Sequence, residues 1–130
     1  SRCIVGDIAQ SLQGLPTDTR TYIVIVTRGH RHDAEALRVA LHKPSAYVGM
    51  IGSKRKITVI YRDLLEQGKA TLEQLAQVHS PLGLDIGAET VGEIAVSILA
   101  ELIAVRRGRI RGRENPQVTS MMSLYDVSIL

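Results

Sequence analysis

The residues with the most pronounced chemistry lie in one short run, Gly52-Ser53-Lys54-Arg55-Lys56, directly after the apolar stretch 46–51. The order reads as a buried strand, a tight turn and the start of a helix. Gly52 permits a sharp turn because a residue without Cβ accepts positive φ. Ser53 can cap the helix by accepting a backbone N–H, and no base stands at a spacing that would make it a nucleophile. Three cations in a first helical turn oppose the helix dipole, whereas an anion is favoured there. An anionic ligand at this turn explains them most simply, and a solvated basic rim is the alternative. Arg55 would offer phosphate a bidentate fork and Lys54 a point charge.

Two further groups of side chains could do chemistry. Gly29, His30, His32 and Asp33 follow the apolar run 22–27. The spacing H-x-H-D lacks the further ligands a metal needs, and ligand contact at a strand's carboxyl end fits better. Histidines bonded to their own loop are the alternative. Asp85 and Glu89 lie in the glycine-rich but apolar stretch 82–89. Asp85 admits two readings, an acceptor for the N–H donors of a ligand or a brace for its own loop. Glu89 fits loop bracing, an acid ahead of a helix being favoured by the dipole. Cys3 reads as a buried strand residue. No catalytic constellation is visible, which points to binding rather than turnover.

These residues need elements to position them. The runs 3–5, 22–27 and 46–51 read as strands. Asp7 caps a short helix with Ile8, Ala9 and Leu12 inward, closed by Gly14-Leu15-Pro16. Asp33 opens a second helix with Ala34, Leu37, Ala40 and Leu41 on one face, stopped by Pro44. Ser53 opens a third with Ile57, Ile60, Tyr61, Leu64 and Leu65 inward, closed by Gly68. Thr71 with Gln74, and Thr90 with Glu93, form capping boxes for two more. The last helix runs to about Arg107 with Glu93, Ser97 and Glu101 as its polar stripe. A helix this apolar is expected to be buried on most sides, under the sheet or in an interface between subunits.

Strands alternating with helices make βαβ units and a parallel sheet, with the ligand at the strands' carboxyl ends. The usual G-x-G-x-x-G strand-turn-helix unit is missing, and Gly49-x-x-Gly52 is too short to replace it. The fold class expected is therefore α/β, a partial doubly wound parallel sheet with flanking helices and without its first strand-turn-helix unit. Another part of a longer chain, or another chain, would complete the sheet.

Composition agrees. The chain has 130 residues, 45% hydrophobic and 22% charged, as a single globular domain does. With four Tyr and no Phe or Trp, its core must be aliphatic, which favours an α/β sheet. One cysteine excludes an internal disulfide and suits a reducing, cytoplasmic setting. No apolar run has the length of a membrane span and no signal peptide opens the chain, so no membrane partner is expected. The net charge of +3 comes largely from 106–113 and does not call for nucleic acid.

The blocks VTRGHRHD (26–33), YVGMIGSKRK (47–56) and SPLGLDIGAETVGEIAVSILAELIAVRRG (80–108) resemble the C-terminal Rossmann-like domain of the XdhC/CoxI family. The match runs from Cys3 to Gly108, leaving 109–130 as a basic, then irregular tail. Family domains open with a further strand and a glycine-histidine turn, and often carry a proline and an acid where Val91-Gly92 stands. The resemblance implies an accessory factor for molybdenum hydroxylases of the xanthine dehydrogenase type, which binds the molybdenum cofactor and hands it to the apoenzyme. It implies a homodimer and, as a further partner, a cysteine desulfurase. The candidate cofactor-binding residues, read from the loops and charges above, are Gly29, His30, Gly49, Gly52, Ser53, Lys54, Arg55 and Asp85. An NAD(P)-binding oxidoreductase-like domain is the alternative the fold permits.

Overall fold

Two of the apolar runs form strands. A computed structural model describes residues 5–27 and 29–109. In it β1 (Tyr22–Ile25) and β2 (Tyr47–Met50) pair in parallel, with Tyr22 opposite Tyr47 and Ile25 opposite Met50. The helices are α1 (Ile8–Gly14), α2 (His30–Leu41), α3 (Lys54–Glu66), α4 (Leu72–Ala76) and α5 (Val91–Arg106). This is a mixed α/β fold with helices flanking a short parallel sheet, as a partial doubly wound arrangement requires.

The strand count differs from the expectation. Cys3 and Ile4 lie outside the described residues, and Val5 is fully exposed and in no strand. The third neighbour in the sheet is instead His79, joined to Gly49 by a single parallel bridge. Its N–H donates to the Val48 carbonyl at 2.9 Å, and its carbonyl accepts from Met50 N–H at 3.1 Å. The stretch around His79 gives no strand signal because it is one bridge long and begins a polar, proline-containing turn.

Alternation sorts the strand residues onto two faces. Ile23, Ile25, Val48 and Met50 point into the main core with Leu37 and Ala40 of α2, Ile57, Ile60, Tyr61 and Leu64 of α3, and Leu75 and Val78 around α4. The α3 stripe is the one read from its spacing. Tyr22, Tyr47 and His79 line the other face as a stack across neighbouring strands, with ring centroids 5.8 Å and 4.5 Å apart. Among the described residues β1 has a strand neighbour on one side only.

Capping follows local chemistry. Asp7 accepts from Gln10 N–H at 2.8 Å at the start of α1, and Ser53 from Lys56 N–H at 3.2 Å at the start of α3. Both expected capping boxes are present, at α4 and α5. α2 begins three residues earlier than expected, at His30 rather than Asp33, with Gly29 as its cap and no side-chain cap bond. Asp33 is not available as a cap because its carboxylate is committed to Thr27 and Lys56.

The largest departure concerns α5. Its apolar residues are not buried on most sides. Val91 is 85% exposed, and Val96, Leu99 and Ile103 are between half and two-thirds exposed, at 57%, 58% and 58%. Its polar stripe is the buried one, with Ser97 and Glu101 turned to the rest of the domain. No helix among the described residues is long and apolar enough to cross a membrane.

Gly49 illustrates how tightly the second face is packed. A Cβ there would lie 2.5 Å from the Tyr47 hydroxyl and 2.6 Å from Leu82 Cδ1. The Tyr47 ring is held between Tyr22 and His79 and cannot swing clear. Gly49→Ala is therefore expected to cost about 1–3 kcal/mol in urea unfolding. Gly14→Ala, with open space around the added methyl, is expected to leave the midpoint unchanged or slightly raised.

Candidate functional site

Parallel strands leave their carboxyl ends at one edge of the sheet, and the chain turns there into loops. After β2 the backbone passes through Ile51 and Gly52 into the first turn of α3. After the His79 bridge it passes through Ser80 and a cis peptide to Pro81 into the loop 82–88. Between these two exits lies a cleft of about 550 Å³, closed on its far side by Ile94 and Ser97 of α5. That volume lies in the usual range for small-molecule sites, roughly 300–1,000 Å³.

The first half of the loop 82–88 is held on two sides, by β2 and by α5. Ser80 Oγ donates to the Met50 carbonyl at 3.1 Å, and Leu82 N–H donates to the same carbonyl at 3.2 Å. Leu84 N–H donates to the Ser97 carbonyl of α5 at 3.2 Å. Gly83 takes φ +99°, and a Cβ on it would lie 2.6 Å from Ser97 Oγ. Only glycine lets the loop and α5 approach this closely. Leu82 and Gly83 are buried, and Asp85 and Ile86 are exposed at the cleft's rim.

α5 is fastened a turn further on. His79 Nδ1 lies 3.0 Å from Glu101 Oε1, and both side chains are out of water. Sequence reasoning gave neither a role of this kind. The i, i+4 relation of Ser97 to Glu101 was visible, but an apolar helix gives no sign that its polar side is the one turned inward.

Of the residues put forward from the sequence, the cleft brings together Gly52, Lys54 and Asp85. Ser53 caps α3 at the cleft's edge, exposed. Arg55 is exposed on α3 and does not line the cleft. Gly49 lies in the middle of β2 beneath Leu82. Gly29 caps α2 with φ +104°, away from the cleft lining. His30 opens α2, and its side chain lies outside what is described. His32 is exposed on α2 and lines a separate polar groove with Arg31, Glu35 and Arg38 against α1. Glu89 donates its N–H to Glu93 Oε1 at 3.1 Å, which braces the start of α5.

The three cations of the α3 start do not share one role. Lys56 forms an ion pair with Asp33, which is fully buried and also accepts a hydrogen bond from Thr27 Oγ1. An internal carboxylate accounts for Lys56 without any ligand. Lys54 remains exposed at the cleft mouth, beside the first N–H groups of α3. Among the described residues no group of three or more His, Cys, Asp or Glu side chains could hold a metal ion.

The cleft lining combines apolar side chains, Ile51, Leu82 and Ile86, with one carboxylate, Asp85, which can accept N–H donors, and one cation, Lys54, which can meet negative charge.

The family model for the XdhC Rossmann domain matches residues 3–102. Uncharacterized protein YqeB of Escherichia coli K12 is 38% identical over 96 residues, 74% of this chain and 17% of YqeB. A probable xanthine dehydrogenase component of Bacillus subtilis is 33% identical over 65% of this chain and 23% of its own length. The molybdenum cofactor insertion chaperone PaoD of E. coli K12 is 29% identical over 78% of this chain and 32% of its own length. The crystal structure of a xanthine dehydrogenase from Bacillus halodurans superposes with a TM-score of 0.65 at 32% identity, over 85% of this chain and 31% of that one. The chain thus spans between about a sixth and a third of the curated relatives it matches.

Two measurements probe the α5 side of the cleft. Glu101→Ala leaves the buried His79 Nδ1 without this partner, and a loss of about 1–3 kcal/mol is expected in chemical unfolding. The Thr90 and Glu89 N–H groups hold the Glu93 carboxyl below its ordinary value of 4.5. A lowered acid stabilises the fold when ionised, so its contribution is complete above the ordinary value and fades as pH falls through the lowered one. The difference in Tm between the protein and its Glu93→Gln variant should accordingly be constant near neutrality and shrink below about pH 4.

Proposed function

The chain belongs to the XdhC family through that family's Rossmann domain, and on that footing we propose that it is an accessory protein of molybdenum hydroxylase maturation. In this reading it holds the molybdenum cofactor at the cleft and passes it to the apoenzyme, with no turnover of its own. The observation that carries the proposal is the meeting of Lys54 and Asp85 in one cleft at the carboxyl ends of parallel strands. The names of two relatives, a molybdenum cofactor insertion chaperone and a xanthine dehydrogenase component, supply the ligand and the client.

The donor set suits the group. A pterin ring carries N–H donors that Asp85 can accept, a planar body for the apolar walls, and a phosphate for Lys54 and the free amides of α3. Ser53 keeps that helix start in place. The cofactor, when bound, supplies the metal and sulfur chemistry of the client enzyme. The chain's own residues bind, orient and shield it. A cysteine desulfurase as further partner belongs to the same reading.

Titration of the protein with the isolated cofactor at low and moderate salt tests it. Lys54→Ala is expected to weaken binding about tenfold, the size of one charge-assisted contact, with a shallower salt dependence. Asp85→Asn should weaken it at both salt concentrations. Arg55→Ala, outside the cleft, should change little. Equal binding by all four proteins, or none by any, would remove the cleft from the proposal. Binding of a nicotinamide dinucleotide in preference to the cofactor would favour the oxidoreductase-like alternative.

A further inference from the structure

The buried polar side chains in the cleft lining are both serines. Ser80 and Ser97 are 3% and 4% exposed, whereas Lys54 and Asp85 stand in solvent. A serine hydroxyl has one hydrogen to donate and lone pairs with which to accept. Ser80 donates its hydrogen to the Met50 carbonyl, and Ser97 Oγ donates to the Ile94 carbonyl at 2.7 Å, a turn back along α5. Among the described residues neither oxygen accepts a hydrogen bond. What each has left to offer a ligand is therefore an acceptor. Gly83 keeps the Ser97 oxygen uncovered, since a side chain at 83 would begin 2.6 Å from it.

Burial decides how much such an acceptor discriminates. Asp85 is in contact with water, so a ligand donor there replaces a water donor at small gain. A buried oxygen has no such substitute. It gains more from a ligand N–H, and it is penalised more when a ligand acceptor is pressed against it. Building on the cofactor reading of the cleft, we infer that Ser80 and Ser97 make it selective for a ring edge of N–H donors. The amino-pyrimidine edge of a pterin is of this class. The same ring with a carbonyl in place of the amino group is rejected.

Two pteridines test this selectivity. Pterin carries an amino donor where lumazine carries a carbonyl acceptor. Both fluoresce, so each can be titrated against the protein directly. Pterin is expected to bind about tenfold or more tightly than lumazine, the size of one buried hydrogen bond made rather than opposed. Ser80→Ala and Ser97→Ala should each weaken pterin severalfold and leave lumazine unchanged or tighter, which brings the two affinities together. A general loosening of the loop would instead weaken both ligands alike. Both variants are expected to keep the circular dichroism spectrum of the protein. The Met50 carbonyl still accepts from Leu82 N–H, and Ser97 loses only a bond within its own helix. Equal binding of pterin and lumazine, with both displaced by the isolated cofactor, overturns the selectivity and leaves the cofactor reading intact. So does a preference for pterin that both variants retain, or binding of the cofactor with neither pteridine bound. Binding of none of the three overturns selectivity and cofactor reading together.

Discussion

Asp33 is fully buried, and a carboxylate taken out of water needs partners. It finds them in Thr27, at the end of β1, and in Lys56, in the first turn of α3. One side chain on α2 thus joins the exits of both strands. Ile51 N–H, donating to the Ile25 carbonyl at 3.0 Å, extends the pairing to the same point. A buried pair of this kind contributes less to net stability than its Coulomb attraction implies, but removing either member leaves an uncompensated charge. Its effect is to fix where α3 begins relative to α2. The position of Lys54 at the cleft follows from that.

The second constraint is the way α5 is held. An amphipathic helix ordinarily turns its apolar side inward. Here the inward side offers a hydrogen-bond partner for His79, a carbonyl for Leu84 and room against Gly83. His79 is itself tied to β2 and stacked on Tyr47. These contacts join the sheet edge, the loop 82–88 and α5 to one another around the cleft. The helix dipole adds a consistent electrostatic field. Glu93 answers it with a capping carboxylate, whereas Lys54 at the start of α3 opposes it. A cation set against a dipole at a cleft mouth is poorly placed for stability alone and well placed to meet an anion.

Local chemistry was legible in the sequence. The apolar runs at 22–27 and 46–51, the α3 stripe, the caps at Asp7 and Ser53 and both capping boxes depend on neighbours a few residues away. So does the placing of Gly52 and Lys54 beyond a strand's carboxyl end, and the XdhC-like blocks identify the family from order and identity alone. The tail at 110–130 and the strand start at Cys3-Ile4 lie outside the described residues.

Tertiary structure decided the rest, because those features depend on what lies across space. Lys56 looked like a third ligand-facing cation until Asp33, far along the chain, proved to be its partner. His79 became a sheet neighbour through one bridge, too short to leave a pattern. Gly49 turned out to make room for Tyr47 and Leu82. Asp85 and Lys54 stand far apart in the chain and meet only because β2 and the His79 bridge end at the same edge. Periodicity shows that α5 has a polar side and an apolar side, but which one turns inward depends on the buried groups awaiting it, and here those groups are polar.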